Sequence, residues 1–136
     1  SPVQVGSATN WGRVAAIYPQ GFYAVKTDGT LWSWGNNTMG ELGHGDKVKR
    51  SVPTQVGSAT NWVYDEYGYM DGSDRNFQII NQDGELWCVG WNDTFGGVGD
   101  GTSVNRSTLV QVGSATDWLR VESGWSGTNY ALRTTA

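Results

Sequence analysis

Cysteine, histidine and proline are scarce in this chain: its 136 residues include one Cys, one His and three Pro. A lone Cys88 excludes an internal disulfide framework and a cysteine-rich zinc site, and leaves the redox compartment open. Charged residues make up 16% and apolar ones 38%, and no window approaches eighteen consecutive apolar residues, which argues against disorder and against a membrane span. Lys and Arg number 9 against 13 Asp and Glu, so the net charge of −4 repels phosphate backbones and no nucleic acid is expected as a partner. The chain opens Ser1-Pro2-Val3 with no initiator Met and no basic-then-apolar signal, as a processed chain or a piece of a longer one would. Convincing amphipathic helical periodicity is absent as well. In contrast, glycine (20 residues) and tryptophan (8) are plentiful, which implies many tight turns and many large anchoring side chains.

An internal repeat organises what is there. Gln4-Val5-Gly6-Ser7-Ala8-Thr9-Asn10-Trp11 recurs from Gln55 to Trp62 and again, with Asp117 in place of Asn, from Gln111 to Trp118. Tyr23-Ala24-Val25-Lys26-Thr27 matches Tyr130-Ala131-Leu132-Arg133-Thr134, and Asp28-Gly29-Thr30-Leu31-Trp32 matches Asp83-Gly84-Glu85-Leu86-Trp87. The units read as residues 4–54, 55–110 and 111–136, the third only half present, with 1–3 ending the loop of a preceding blade. Unit two is longer; its extra residues are assigned to the Tyr69–Asn76 region and to Trp91, in loops or bulges.

Within a unit, Phe22–Thr27 and Leu31–Trp34 read as strands joined by Asp28-Gly29, a dipeptide suited to a type I′ hairpin turn. Arg13–Ile17 or Leu119–Glu122 supplies a preceding strand, and Pro53–Val56 a fourth. Four short antiparallel strands every fifty-odd residues describe an all-β propeller blade, here about two and a half of them. Trp11, Trp62 and Trp118 are the expected anchors between blades. Trp32 and Trp87, with Trp34 on the face of Trp32, are expected to bury at least one indole of each pair. Gly29 and Gly84 are the expected turn residues.

Trp32-Ser33-Trp34-Gly35-Asn36-Asn37, then Gly40-Glu41-Leu42-Gly43-His44-Gly45-Asp46, then Arg50-Ser51, resembles the repeat of the regulator-of-chromosome-condensation family, and the resemblance covers essentially the whole chain. It implies a β-propeller, commonly seven-bladed, of which this chain would be a portion completed by other blades of the same or neighbouring chains. The Ser-Pro-Val-Gln and Gly-Ser-Ala-Thr-Asn-Trp wording is more similar to bacterial and bacteriophage versions. The nuclear family member promotes nucleotide release from a small GTPase and docks on chromatin, but none of its contact residues can be carried over here.

Chemistry is sparse. His44 aligns with Asp100 in a glycine-rich loop and reads as an exposed side chain rather than a catalytic base. Cys88 aligns with Ser33 in a strand and reads as buried packing. The Gly96–Gly101 run lacks the ending of a phosphate-binding loop, and Asp71–Asn76 departs from calcium-loop order, so no metal and no cofactor is expected. Lys47–Arg50 reads as a solvated basic run, and the sequons at Asn36, Asn92 and Asn105 as turns. Tyr64, Tyr67 and Tyr69, beside Asp65, Glu66 and Asp71, read as inter-blade packing or as a binding surface. The candidate partner-binding residues are Tyr69, Asp71, Asp74, Arg75, Trp91 and Trp125. The chain is accordingly expected to be a non-enzymatic structural or protein-interaction scaffold in a larger assembly: a virion decoration, a fibre or a bacterial surface component. Guanine-nucleotide exchange and glycan binding are the alternatives.

Overall fold

Alternating and β-branched runs punctuated by glycine turns fold as strands, and a computed structural model describes residues 1–64, 68–93, 96–124 and 128–134 of the chain. Strands β1 (Trp11–Ile17), β2 (Gly21–Lys26), β3 (Leu31–Gly35) and β4 (Arg50–Gln55) form one antiparallel sheet in sequence order. Strands β5 (Met70–Gly72), β6 (Asn76–Ile80), β7 (Leu86–Gly90) and β8 (Arg106–Gln111) form a second sheet of the same order, and β9 (Trp118–Ser123) pairs with β10 (Asn129–Arg133). The first strand of the second sheet, β5, lies against the first strands of the other two, β1 and β9, while β4 and β8 make no comparable contact, so the sheets fan out from their first strands. That radial arrangement is propeller-like.

The most faithfully repeated tract is the crossover between sheets. Gln55 pairs with Trp32 at the end of β4, and the Val56 N–H donates to the Leu31 carbonyl at 2.8 Å. The chain then crosses the β2–β3 turn, where the Trp62 N–H donates to the Gly29 carbonyl at 3.2 Å. The Asn61 carbonyl receives the Gln82 N–H of the next sheet at 2.8 Å. The third copy repeats the crossing, with the Val112 N–H donating to Leu86 O at 2.8 Å and the Trp118 N–H to Gly84 O at 3.1 Å. The second and third octets must therefore each satisfy two sheets at once, which constrains their wording.

Two apolar layers hold the fan together. Between the first and second sheets lie Tyr23, Val25, Leu31, Leu42, Val56, Trp62, Met70, Phe77, Ile79 and Val89, all buried. Tyr23 stacks on Phe77 with ring centroids 3.7 Å apart and planes 3° from parallel. Between the second sheet and β9–β10 lie Ile80, Leu86, Cys88, Val98 and Val121.

Three expectations are corrected. The pairing of Val14 with Ala24 and of Met70 with Ile79 makes Met70 the counterpart of Val14. Trp11 precedes Val14 by three residues and Trp62 precedes Met70 by eight, so the insertion of unit two falls ahead of β5, between Trp62 and Met70, and not across the Tyr69–Asn76 region, most of which is β5 and its turn. Gly90 pairs with Asn76 as Gly35 pairs with Gly21, so Trp91 stands in the place of Asn36 and is not an added residue. The added one lies between Asn92 and Val98 instead. Trp32 and Trp34 are both only half-buried: among the described residues no further sheet covers the face of the first sheet from which they project, and Trp11 lies against them at 6.0 and 6.1 Å.

Candidate functional site

The β1–β2 and β5–β6 turns meet at one rim. The Tyr18 N–H donates to the Ser73 carbonyl at 3.0 Å and the Arg75 N–H to the Tyr18 carbonyl at 2.7 Å, so residues 18 and 74 pair as in a parallel bridge. The Trp91 N–H donates to the Arg75 carbonyl at 2.7 Å, which brings the start of the β7–β8 loop to the same place. Arg75 holds a left-handed backbone, φ +57°, with its guanidinium 3.8 Å from the Asp74 carboxylate. Tyr18 is exposed, and Asp74, Arg75 and Trp91 are partly so. An aromatic ring and an ion pair are thus presented on a backbone that hydrogen bonds make rigid.

Of the sequence candidates, Asp74, Arg75 and Trp91 come together here. Asp71 does not: its carboxylate accepts the Ser123 N–H at 2.8 Å and the Gly72 N–H at 2.9 Å, tying β5 to β9. Tyr69 packs half-buried against the second apolar layer, and Tyr64 against the first. Trp125 and Tyr67 lie outside the described residues. Among the anchors, Trp62 is buried while Trp11, Trp32, Trp87 and Trp118 are half-buried. Tyr18 was missed; its signal is an aromatic followed by Pro at a turn, at the position matching Asp74.

The glycine loops are held from within. In the first loop the Asn37 amide donates to the Asp46 and Val48 carbonyls at 3.1 Å, and its oxygen accepts the Leu42 N–H at 2.9 Å. In the second, Asn92 does the same toward Thr102, Val104 and Val98. Each loop also carries an Arg–carboxylate pair, Arg50 with Asp46 at 2.9 Å and Arg106 with Asp100 at 2.6 Å. The acid thus sits two places earlier in the second loop, because position 44 of the first is occupied by His44. Burial alone would raise the Asp100 carboxyl, but hydrogen bonds from Thr102 and Arg106 outweigh it and hold it at about 2. Hydrogen bonds from Arg50 and the Val48 N–H hold Asp46 well below the usual carboxylate range.

His44 is half-buried rather than exposed, and its Nε2 lies 2.9 Å from Ser33 Oγ. This has the look of a base beside a nucleophile, but Ser33 is fully buried and its hydroxyl donates to the Leu42 carbonyl at 2.7 Å. With that proton committed, Nε2 is the donor to Ser33, and the pair closes the loop onto β3. Cys88 replaces Ser33 in the second sheet, buried, its thiol pushed up to about 12 chiefly by burial. Among the described residues, no group of three or more His, Cys, Asp or Glu is placed to hold a metal ion, and no helix is long and apolar enough to cross a membrane.

Burial and the nearby Arg50 lower the His44 pKa from the ordinary 6.5, outweighing Asp46. Its contribution to stability is complete above about 6.5 and is lost as pH falls through the lower folded value. The melting temperature is expected to drop between pH 6.5 and 5, and His44→Gln, which can still donate to Ser33, to flatten that slope. An unchanged slope in the variant would show that another group titrates.

A cavity of about 500 Å³ opens between the second sheet and β10, lined in part by Gln78, Cys88, Val98, Trp118, Asn129 and Tyr130. Gln78 and Asn129 stand where the first layer has the Tyr23–Phe77 stack. They are engaged in hydrogen bonds instead, Gln78 Nε2 to the Glu122 carbonyl at 3.1 Å and Asn129 Nδ2 to the Gly97 carbonyl at 2.7 Å.

Radial antiparallel sheets of one repeated design, linked by a repeated crossover and packed face to face, define a β-propeller repeat protein. Its repeats are of the RCC1 type: residues 28–69 match the family model of the Regulator of chromosome condensation (RCC1) repeat. The chain is similar to the Ultraviolet-B receptor UVR8 of Arabidopsis thaliana, 31% identical over 107 residues that cover 77% of this chain and 23% of the receptor. It is also similar to the Protein RCC2 homolog of Xenopus laevis, 42% identical over 69 residues, 50% of this chain and 13% of that protein. Human WBSCR16 superposes with a TM-score of 0.77 at 17% identity, over 97% of this chain and 33% of its own. Prp20p of Saccharomyces cerevisiae, whose structure is described together with its binding to Gsp1p and histones, superposes at 0.69 and 16% identity, over 93% and 32%. The chain therefore spans about a quarter of the receptor and about a third of the solved structures.

Proposed function

We propose that this chain is a non-enzymatic propeller module that presents the Tyr18–Asp74–Arg75–Trp91 rim to a protein partner within a larger assembly, its repeats being residues 4–54, 55–110 and 111–136 with 1–3 closing a preceding blade. The observation that carries this reading is the exposed Tyr18 ring held beside an ion pair by backbone hydrogen bonds from two sheets. Rigid aromatic and Arg side chains are the usual anchors of protein interfaces. Commitment of the Ser33 proton to Leu42 and of Asp46 to Arg50 supports a non-enzymatic role. The Gly-Ser-Ala-Thr-Asn-Trp wording supports a bacteriophage virion or bacterial surface as the setting.

A photo-crosslinking amino acid placed at Tyr18 is expected to trap one partner, and the same group at the exposed Val104 to trap none. Arg75→Glu should lower the yield at least ~10-fold while leaving the melting temperature near that of the parent. Equal trapping at both positions would refute the rim. Exchange on a small GTPase is the second reading, supported by the likeness to Prp20p, and acceleration of nucleotide release from such a GTPase by the chain is the result that would favour it.

A further inference from the structure

Four arginines are spent within the fold: Arg50, Arg106, Arg120 and Arg133 each reach a carboxylate oxygen within 2.9 Å. Arg75 is not. Its nearest approach to Asp74 is 3.8 Å and its Nε is buried with no acceptor, so among the described residues its guanidinium donates no hydrogen bond. The backbone beneath it is fixed all the same. Arg75 sits at φ +57°, its N–H donates to the Tyr18 carbonyl and its carbonyl accepts the Trp91 N–H, both at 2.7 Å. Tyr18, 72% exposed, and Trp91 are thus its neighbours along the rim. A planar fork of donors, held in place and unspent, is suited to paired hydrogen bonds with an oxyanion.

We infer that Arg75 takes a side-chain carboxylate, Asp or Glu, of the protein partner, while an apolar residue beside that acid covers the Tyr18 ring. The inference rests on the rim being the partner surface and names the chemistry of what binds there. Two observations select a side-chain carboxylate over other oxyanions. Phosphate groups and chain-terminal carboxylates are gathered by several donors, backbone N–H groups above all. Here the N–H groups of Tyr18, Arg75 and Trp91 already donate to Ser73, Tyr18 and Arg75, and Pro19 has none. Asp74 also leaves the Arg75 pair with no net charge, which disfavours a doubly charged phosphate more than a singly charged carboxylate. Asp74 is itself the competitor: it stands off at 3.8 Å, and a partner acid at hydrogen-bond distance displaces it.

The test pans random peptides displayed on phage, each fused through its C-terminus so that it offers no terminal carboxylate, against the immobilised full chain. Selected peptides are expected to carry Asp or Glu next to an aromatic or aliphatic residue. Replacing that acid by its amide in the synthetic peptide should weaken binding at least ~10-fold. Arg75→Gln should weaken it as much with the melting temperature unchanged, and Arg75→Lys should recover part of the loss. Asp74→Asn should instead tighten binding roughly 2- to 5-fold, a gain that a purely structural role for Arg75 would not produce. Selection of no peptide or of peptides without an acid, equal binding of the amide twin, an Asp74→Asn chain that binds no tighter, or displacement of the peptide by less inorganic phosphate than acetate would each overturn the inference. If cross-linking at Tyr18 still traps a partner in such a case, the rim stands and only its carboxylate chemistry falls; if it traps none, both fall.

Discussion

Alanine at Gly29 or Gly84 is expected to destabilise the fold by about 3 kcal/mol or more. Both residues sit in the left-handed region, φ +78° and +74°, where a side chain costs roughly 1–2 kcal/mol. A methyl at Gly29 would also fall 2.0 Å from the Thr60 carbonyl oxygen, and one at Gly84 2.3 Å from that of Thr116. Those oxygens belong to the crossover, which would have to lift from the turn and stretch the Trp62 or Trp118 hydrogen bond, a distortion costing roughly 1–3 kcal/mol more. Gly57 is the control: its φ is +62°, nothing lies within 4 Å of a methyl added there, and Gly57→Ala should cost only about 1 kcal/mol. Urea unfolding of the three variants measures the difference. Equal losses at all three would mean that the close approach carries no energy.

Truncating the aromatic stack should have an effect of similar size. Tyr23→Ala and Phe77→Ala are each expected to cost about 3–5 kcal/mol, the usual range for emptying a large aromatic site in a packed layer. Tyr23 also loses a bond, since its hydroxyl donates to the Glu41 carbonyl at 2.8 Å in full burial. The rings share one contact, so the double variant should lose less than the sum of the singles. The second layer offers the comparison, because Gln78 and Asn129 replace the rings there and a cavity remains. Gln78→Ala should therefore cost less than Tyr23→Ala in the same titration. A larger loss at Gln78 would place the main adhesion between sheets in the polar network.

The candidate site was less legible than the fold. Asp74, Arg75 and Trp91 were legible as polar and aromatic residues peculiar to the second unit. Their neighbour Tyr18 was not, because it lies 56 residues from Asp74 and only the stacking of two sheets brings it there. Asp71 looked like its neighbours in sequence, yet period-two alternation turns it to Ser123. The exchange of Ser33 and His44 for Cys88 and Asp100 was visible as two separate substitutions. That they touch, and that the loop acid moves from 100 to 46 in consequence, is a matter of distance.

The β2–β3 and β6–β7 hairpins with their turn glycines Gly29 and Gly84, the repeat and its RCC1 type were determined by the amino-acid order alone. The type I′ turn was not borne out, since Gly29 and Gly84 but not Asp28 or Asp83 hold a positive φ, and β5 (Met70–Gly72) lies where an inserted loop was expected. Turn chemistry and side-chain alternation act over a few residues, and a repeated unit displays them more than once. Tertiary structure alone decided which faces are covered. Alternation shows that Phe22 and Trp34 share a face, but whether that face is sealed, as at Phe77, or bare depends on the presence of another sheet against it. The octet shows the same division: its wording was plain from the start, and its task of joining one sheet's outer strand to the next sheet's turn emerged only from hydrogen bonds between distant segments.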